Sequence, residues 1–407
     1  MSISKNARVC AALALAVILA NVSSAATYER VYSFTGGTDG GDPATPLTFD
    51  NAGNAYGTTA AGGDFDLGTV FMLTPTGQET VLYSFTGGSD GQDPHGGVTL
   101  DSAGNLYGTT VAGGSGGLCA GDGCGVVFEL TPSGGSWTET TLYSFKGLND
   151  GFGPGGGLVF DTAGNLYGTT PDGGAHSAGV VFELSPAKYG WRHKVIHTFT
   201  GGKDGAVGSL GSLLFDAAGN LYGVTELGGA NGAGAVYELS PTQRGPWKTT
   251  VLYDFKGMPD AANPYGGLIF DKAGNLYGTT YFGGTNGMGT VFQLIPGPNR
   301  TWQENVLHSF QGGTDGSFPT STLVFNAAGS LYGTTSTGGR PSCDCGTVFK
   351  LTLSRGGWSE RIVHLFGVGR DGSSPNYGLT FDHAGNLYGT TPVGGSVGQG
   401  IVFQFTP

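Results

Sequence analysis

The sequence predicts an all-β fold, a seven-bladed β-propeller with four antiparallel strands in each blade. Three observations predict it. A stretch of the form Leu158-Val-Phe-Asp-Thr-Ala-Gly-Asn-Leu-Tyr-Gly-Thr-Thr170 returns in seven near copies, centred on Gly53, Gly104, Gly164, Gly219, Gly274, Gly329 and Gly385. The steps between centres are 51, 60, 55, 55, 55 and 56 residues, the period of one small sheet repeated in a ring or a row. Glycine, 80 of 407 residues, recurs at fixed positions in every copy with aromatic and β-branched residues between, which is the pattern of short strands joined by tight turns.

Residues 1–26 read as a secretory signal peptide. Lys5 and Arg8 precede an apolar run from Ala11 to Ala20, and small residues follow at Ser23, Ser24, Ala25 and Ala26. The run is too short to span a bilayer, which takes about 20 apolar residues, and no other segment approaches that length. Residues 27–407 are expected to form one domain, because the uniform repeat overrides the length prior for two or three. Removing the signal takes away Lys5 and Arg8 and no acid, so the formal charge moves from -12 to -14. That balance argues against nucleic acid and anionic membranes as partners.

In the third copy, Leu158 to Asp161 is the innermost strand, a. The turn Thr162-Ala-Gly-Asn165 supplies residues that tolerate positive φ, and Leu166 to Thr170 returns as strand b. A glycine loop leads to strand c at Val180 to Leu184, and a turn carrying Trp191 leads to strand d at Val195 to Phe199. The glycine inside each strand b marks close approach of another group, expected from the neighbouring blade, with the strand c aromatic as the covering ring. Trp137, Trp191, Trp247, Trp302 and Trp358 share one position, eight residues before the last phenylalanine of strand d, and are expected to cover outer blade edges.

The two ends are out of phase. Tyr28 to Phe34 is a strand d with no blade before it, and Ile401 to Phe405 is a strand c with no d after it. Pairing the first with the last closes the ring and leaves no open edge.

The combination Gly-Asn-Leu-Tyr-Gly-Thr-Thr, a following Gly-Gly, and then Gly-x-Val-Phe-x-Leu resembles the tandem repeat called GloVer, found in exported bacterial proteins with various C-terminal anchors. The likeness covers essentially all of residues 27–407. The copies depart from it by Val224, by Ala55 in place of leucine and by Ser330 in place of asparagine. It implies export and a repeat architecture, with no assigned activity. No anchor motif precedes Pro407, which points to a secreted, periplasmic or extracellular member. The a-to-b hairpin is also similar to hairpins of NHL-type and streptogramin-lyase-type propellers, a likeness of construction that transfers no catalytic residue.

An aspartate follows each terminal phenylalanine of strand d by five residues: Asp39, Asp90, Asp150, Asp204, Asp260, Asp315 and Asp371. Carboxylates with turn carbonyls can bind calcium, the one cofactor considered. The competing reading, preferred because the residue is in every copy, is that each aspartate closes its own turn. Asp50, Asp101, Asp161, Asp216, Asp271 and Asp382, with Asn326 in the seventh place, are read as turn acceptors too. His197, His308 and His364 replace the strand d tyrosines Tyr32, Tyr83, Tyr143 and Tyr253 and are packing substitutions. His95 stands apart, beside the start of an innermost strand. Those starts are small (Pro46, Gly97, Gly157, Ser212, Gly267, Thr322, Gly378) and should line the central channel, which counts against an enzyme.

Function is expected where the copies differ. Cys119 and Cys124 lie in an enlarged loop of the second copy and make the simplest disulfide of an exported chain. A Cys343 to Cys345 bridge would be strained, and its pairing stays open. Phe65, Tyr265, Tyr281, Phe282 and Tyr377 fall in or near top-face loops, where aromatic surfaces can stack on sugars or pack between blades. His95, Tyr265, Tyr281, Phe282 and Tyr377 are the candidate ligand contacts. The reading is an exported monomeric scaffold that binds a glycan or protein on its loop face. The alternatives are a propeller lyase or hydrolase acting on polysaccharide or lactone, and a purely structural surface module.

Overall fold

A computed structural model of the chain describes residues 27–119, 121–208, 211–243, 245–367 and 369–406, so the expected signal peptide lies outside the described residues. The described chain forms seven sheets, each with four antiparallel strands in the order a-b-c-d, arranged as a propeller. Three single-turn 3-10 segments are the only helices among the described residues, and none is long and apolar enough to cross a membrane.

The third blade shows the construction. Its strands are Val159–Phe160 (a), Leu166–Thr170 (b), Val180–Ala187 (c) and Gly190–Thr198 (d). Strands c and d are longer than expected. The segment taken for a turn around Trp191 is paired strand, with Pro186 opposite Trp191 and Ala187 opposite Gly190. The outer strand alternates exposed and half-buried residues, so Arg192 and Lys194 reach water while the backbone stays in the ladder.

The expected closure forms. Thr27–Ser33 pairs with Ile401–Thr406, from Thr27 opposite Thr406 to Ser33 opposite Ile401, and completes the last blade. A ring closed by its own chain in this way has no free inter-blade edge.

The hydrophobic core lies between blades. Each terminal phenylalanine of strand d meets edge-on the strand c ring of the next blade: Phe34 on Phe71, Phe85 on Phe128, Phe145 on Phe182, Phe199 on Tyr237, Phe255 on Phe292, Phe310 on Phe349 and Phe366 on Phe403. Centroid distances are 5.1–5.2 Å throughout. The strand c ring in turn fills the place a side chain would take on strand b. A Cβ on Gly168 would stand 2.6 Å from Phe182 Cζ and 2.9 Å from Leu158 Cδ2. The covering ring therefore belongs to the same sheet, where Gly168 and Phe182 are cross-strand partners, and not to the neighbour as the sequence suggested. The tryptophans also differ from expectation. Trp137, Trp191, Trp247 and Trp358 pack on the strand b tyrosine of the preceding blade (Tyr56, Tyr107, Tyr167 and Tyr277) and so fill seams.

The innermost strand is interrupted. In the first blade Gly41–Pro43 pairs with the far end of strand b and Thr48–Phe49 with its near end, leaving residues 44–47 out of the ladder. A proline at position 43 has no N–H to continue the pairing. The residue before it is left-handed in six blades: Asp42, Asp93, Gly153, Asn263, Phe318 and Ser374 have φ of 53 to 68°. Each of these six donates its N–H to a carbonyl in the b-to-c loop of the preceding blade, as Asp42 does to Gln399 across the closure at 2.9 Å.

The a-to-b hairpins use their aspartates as expected. Asp161 accepts from the Asn165 backbone at 2.9 Å, the Asn165 side chain at 2.7 Å and the Tyr167 hydroxyl at 3.1 Å. Burial opposes its charge, but these donors outweigh it and hold its carboxyl below the usual range.

Two outcomes follow for stability. Asp161→Ala should lower unfolding free energy by roughly 1–3 kcal/mol, the cost of stranding such donors, while Asp161→Asn, the arrangement present at Asn326, should cost clearly less in a denaturant titration. A chain beginning at residue 35 should melt well below one beginning at residue 27, since it exposes Phe403 and the edge of the last blade; equal melting would refute the closure.

Candidate central funnel

The unpaired stretches of the seven innermost strands converge on one cavity of about 680 Å³ at the head of the central channel. Five of the seven small residues expected to line the channel do so: Pro46, Gly157, Ser212, Thr322 and Gly378. His95, Tyr265, Tyr281, Phe282 and Tyr377 all line the same cavity. Phe65, by contrast, is exposed in a loop of the first blade and is not among them.

The funnel has two unlike sides. On one, Tyr281 stacks on Phe318 with centroids 4.9 Å apart and planes 21° from parallel, Phe282 stands nearly perpendicular to both, and Tyr265 lies 6.3 Å from Tyr281. On the other, His95 Nε2 is 2.8 Å from Asp93 Oδ1, and its Nδ1 is 3.4 Å from the Tyr377 hydroxyl. Burial opposes charging His95, yet the Asp93 hydrogen bond and the charges of Asp93 and Asp42 prevail and raise its pKa. Asp42 is itself raised, by burial first and by Asp93, and its Oδ1 is buried without a partner among the described residues. Burial, with Asp42, Tyr265 and Asp93 nearby, keeps the Tyr377 phenol neutral far above neutral pH.

Sequence reasoning missed Glu226, Asp42, Asp93 and Asn376, and so missed that acids stand in and beside the channel. Glu226 lines the funnel half-buried, and burial raises its carboxyl. The signal was available as register. The residue after Thr-Thr in strand b is Ala60, Val111, Pro171, Glu226, Tyr281, Ser336 or Pro392, and three of these, Glu226, Tyr281 and Ser336, line the cavity. The residue after the inner-strand proline is a second such position, occupied by His95, Gly155, Tyr265, Thr320 and Asn376 in five blades.

The seven rim aspartates stand apart from the funnel, one at each seam. Each is engaged by its own turn: Asp39 accepts from the Tyr32 hydroxyl at 3.0 Å and the Thr35 N–H at 2.9 Å, and Asp90, Asp150 and Asp260 repeat the pattern. His197, His308 and His364 take the tyrosine's place opposite Asp204, Asp315 and Asp371 at 3.4, 3.1 and 2.9 Å. The next blade adds a third group to each seam: Glu79, Glu139, His193, Thr249, Glu304, Glu360 and Tyr28. Burial, opposed or aided by neighbours, pushes Glu79, Glu139 and Glu360 up to about 7, and burial with a hydrogen bond to Asp260 raises Glu304 further. Among the described residues, one set of three possible metal donors is close-set, His308, Asp315 and Glu360, with donor atoms within 4.8 Å of one another. It contains a single rim aspartate.

Both cysteine pairs are bridged, Cys119 to Cys124 and Cys343 to Cys345. The sequence leaves the second open. Asp344, left-handed at φ 54°, folds the chain back between its neighbours and brings the two Cα atoms to 5.2 Å, inside the usual range for a disulfide.

The family model described as the Gloeobacter/Verrucomicrobia repeat matches residues 17–213, 115–324 and 209–407. No curated protein matches the chain. Among solved structures, the extracellular domain of a provisionally named one-component system from B. thetaiotaomicron superposes with a TM-score of 0.56 at 10% identity, covering 92% of this chain and 39% of that one. A protein provisionally named a gluconolactonase gives 0.43 at 15% identity, covering 83% and 94%. One from Thermus thermophilus, provisionally named an oxidoreductase (glucose dehydrogenase), gives 0.45 at 16%, covering 94% and 100%. At these identities the first of the three supports the fold alone, and the other two, below 0.5, carry no argument.

The seam glutamates make a prediction with a definite sign. A carboxyl raised from 4.5 to about 7 favours the folded state fully below pH 4.5 and loses that contribution as pH rises through 7. The double variant Glu304→Gln/Glu360→Gln should therefore show a smaller fall in melting temperature between pH 5 and pH 8 than the parent. His193 and His197, lowered by burial, act in the opposite sense as pH drops below 6.5, but equally in both proteins.

Proposed function

Because the chain belongs to the Gloeobacter/Verrucomicrobia repeat family, in which the repeat builds the blades, we propose that its function resides in the central funnel: an exported propeller that binds a glycan there. The observation that carries this reading is the meeting of Tyr265, Tyr281, Phe282 and Tyr377 with His95 and Glu226 around one cavity of about 680 Å³. That volume is within the range of small-ligand sites, and apolar walls with a few polar groups are their usual lining. Rings at several inclinations suit the apolar faces of sugar rings, while Glu226, His95, Asn376 and the tyrosine hydroxyls supply acceptors and donors for hydroxyl groups. A chain terminus or short oligosaccharide fits this shape better than a flat surface epitope.

A second reading has its own support. Asp93, His95 and Tyr377 form an unsymmetrical acid–base chain beside the funnel, the feature that a hydrolase or lyase would need and that the small channel residues had argued against. An aspartate-oriented histidine next to a buried phenol can move a proton. In this reading the bound glycan is a substrate, and His95→Ala would abolish its turnover.

Glycan-array binding of residues 27–407, with calcium and again with chelator, tests the proposal. Binding is expected, and Tyr281→Ala and Tyr377→Ala should each weaken it by about tenfold or more, on the order of 1.4 kcal/mol. Loss of binding in chelator would give the rim aspartates or the His308 set a calcium role. An array blank in both conditions would overturn the reading in favour of a purely structural module.

A further inference from the structure

We propose that the funnel selects ligands carrying a positively charged ammonium group, so that the glycan it takes is an amine-bearing sugar and not a neutral or acidic one. The inference rests on the glycan-binding reading above and adds to it a charge preference.

Charge is one line of support. Among the described residues lining the cavity there is no lysine and no arginine. The acidic group in the lining is Glu226, and His95, the basic one, is already matched by Asp93 at 2.8 Å with Asp42 adding a second negative charge. An acidic sugar would bring its carboxylate towards Glu226 with no free cation to meet it. An ammonium group would meet a carboxylate in a half-buried setting, where such a pair is stronger than in water.

The aromatic side gives independent support. Tyr281 and Phe318 are nearly parallel, Phe282 is turned by 87° from Tyr281, and Tyr265 by 45°. Ring faces attract cations by their quadrupole, ammonium groups among the best-known cases, and three of these four rings, Tyr265, Tyr281 and Phe282, line the cavity at different inclinations. Asn376, in the same lining, has its Oδ1 buried with no hydrogen-bond partner among the described residues. A bare calcium ion fits this composition poorly, since it takes six to eight oxygen ligands and the lining offers one carboxylate.

Isothermal titration of residues 27–407 at pH 7 and fixed ionic strength would use three oligosaccharides of equal length: β-1,4-linked glucosamine, its N-acetylated form, and the corresponding glucose oligomer. The amine oligomer should bind about tenfold or more tightly than the other two, and Glu226→Gln should remove that advantage. Equal affinity of the parent protein for all three would overturn the charge preference and leave the glycan reading standing. That comparison needs no variant, so a misfolded Glu226→Gln would not obscure it. No binding of any of the three, with a blank array, would instead overturn the glycan reading. Tetramethylammonium chloride serves as the free-cation arm: affinity equal to that of the amine oligomer would show that the site takes a small cation and not a sugar.

Discussion

The contact on which the rest depends is the edge-on meeting of one aromatic ring from strand d with another from strand c of the next blade. Each pair contributes about 0.5–1.5 kcal/mol beyond the area it buries, and both rings are fully or almost fully shielded from water. The ring on strand c can lie so deep only because strand b carries glycine opposite it. A methyl group there would displace the ring, the ring would displace the neighbouring blade, and with seven such joints in series the circle would not close. The sequence feature that first suggests a functional motif, Gly-Asn-Leu-Tyr-Gly-Thr-Thr, is thus accounted for by packing.

A second layer of stitching runs above these joints. Six left-handed residues before the inner-strand prolines reach back to the preceding blade's loop, and the proline that follows turns the chain out of the ladder. One device therefore does two things: it ties blades together and releases a few residues towards the axis. Part of the funnel wall is made of what is released, and Glu226, Tyr281 and Phe282 join it from the ends of strand b. A left-handed residue at such a place is conformationally costly, and here the cost is offset by a hydrogen bond in every case.

Architecture was legible in the sequence because it is repeated. The period, the fixed phenylalanine-to-aspartate offset and the unmatched ends each report a constraint that every blade obeys, and the structure has the blades, the turn-closing aspartates and the closure they implied. The misreadings share a physical origin. Trp191 reads as part of a turn because an edge strand with Arg192 and Lys194 looks polar, although its backbone pairs to the end. The glycine of strand b reads as facing another blade because sequence offers no cross-strand register. Glu226 escapes notice for the opposite reason to the motif: it is not repeated. Its register directly after Thr225 marks it in the sequence, but its place in the lining follows only once the end of strand b is seen to reach the cavity. His95 and the four aromatic residues stand out because they interrupt a pattern, but their meeting in one cavity is a property of the ring.

That separation between what repeats and what varies gives the funnel an unusual kind of freedom. The residue after the second threonine in three blades, and the residue after the proline in five, line the cavity without taking part in the aromatic joints. Those positions hold Glu226, Tyr281 and Ser336, and His95, Gly155, Tyr265, Thr320 and Asn376. They behave as letters written on a wheel whose spokes stay the same. Homologous wheels could spell different ligands with the same frame, and a designer could rewrite the inscription one spoke at a time, because changing a letter leaves the bearing untouched.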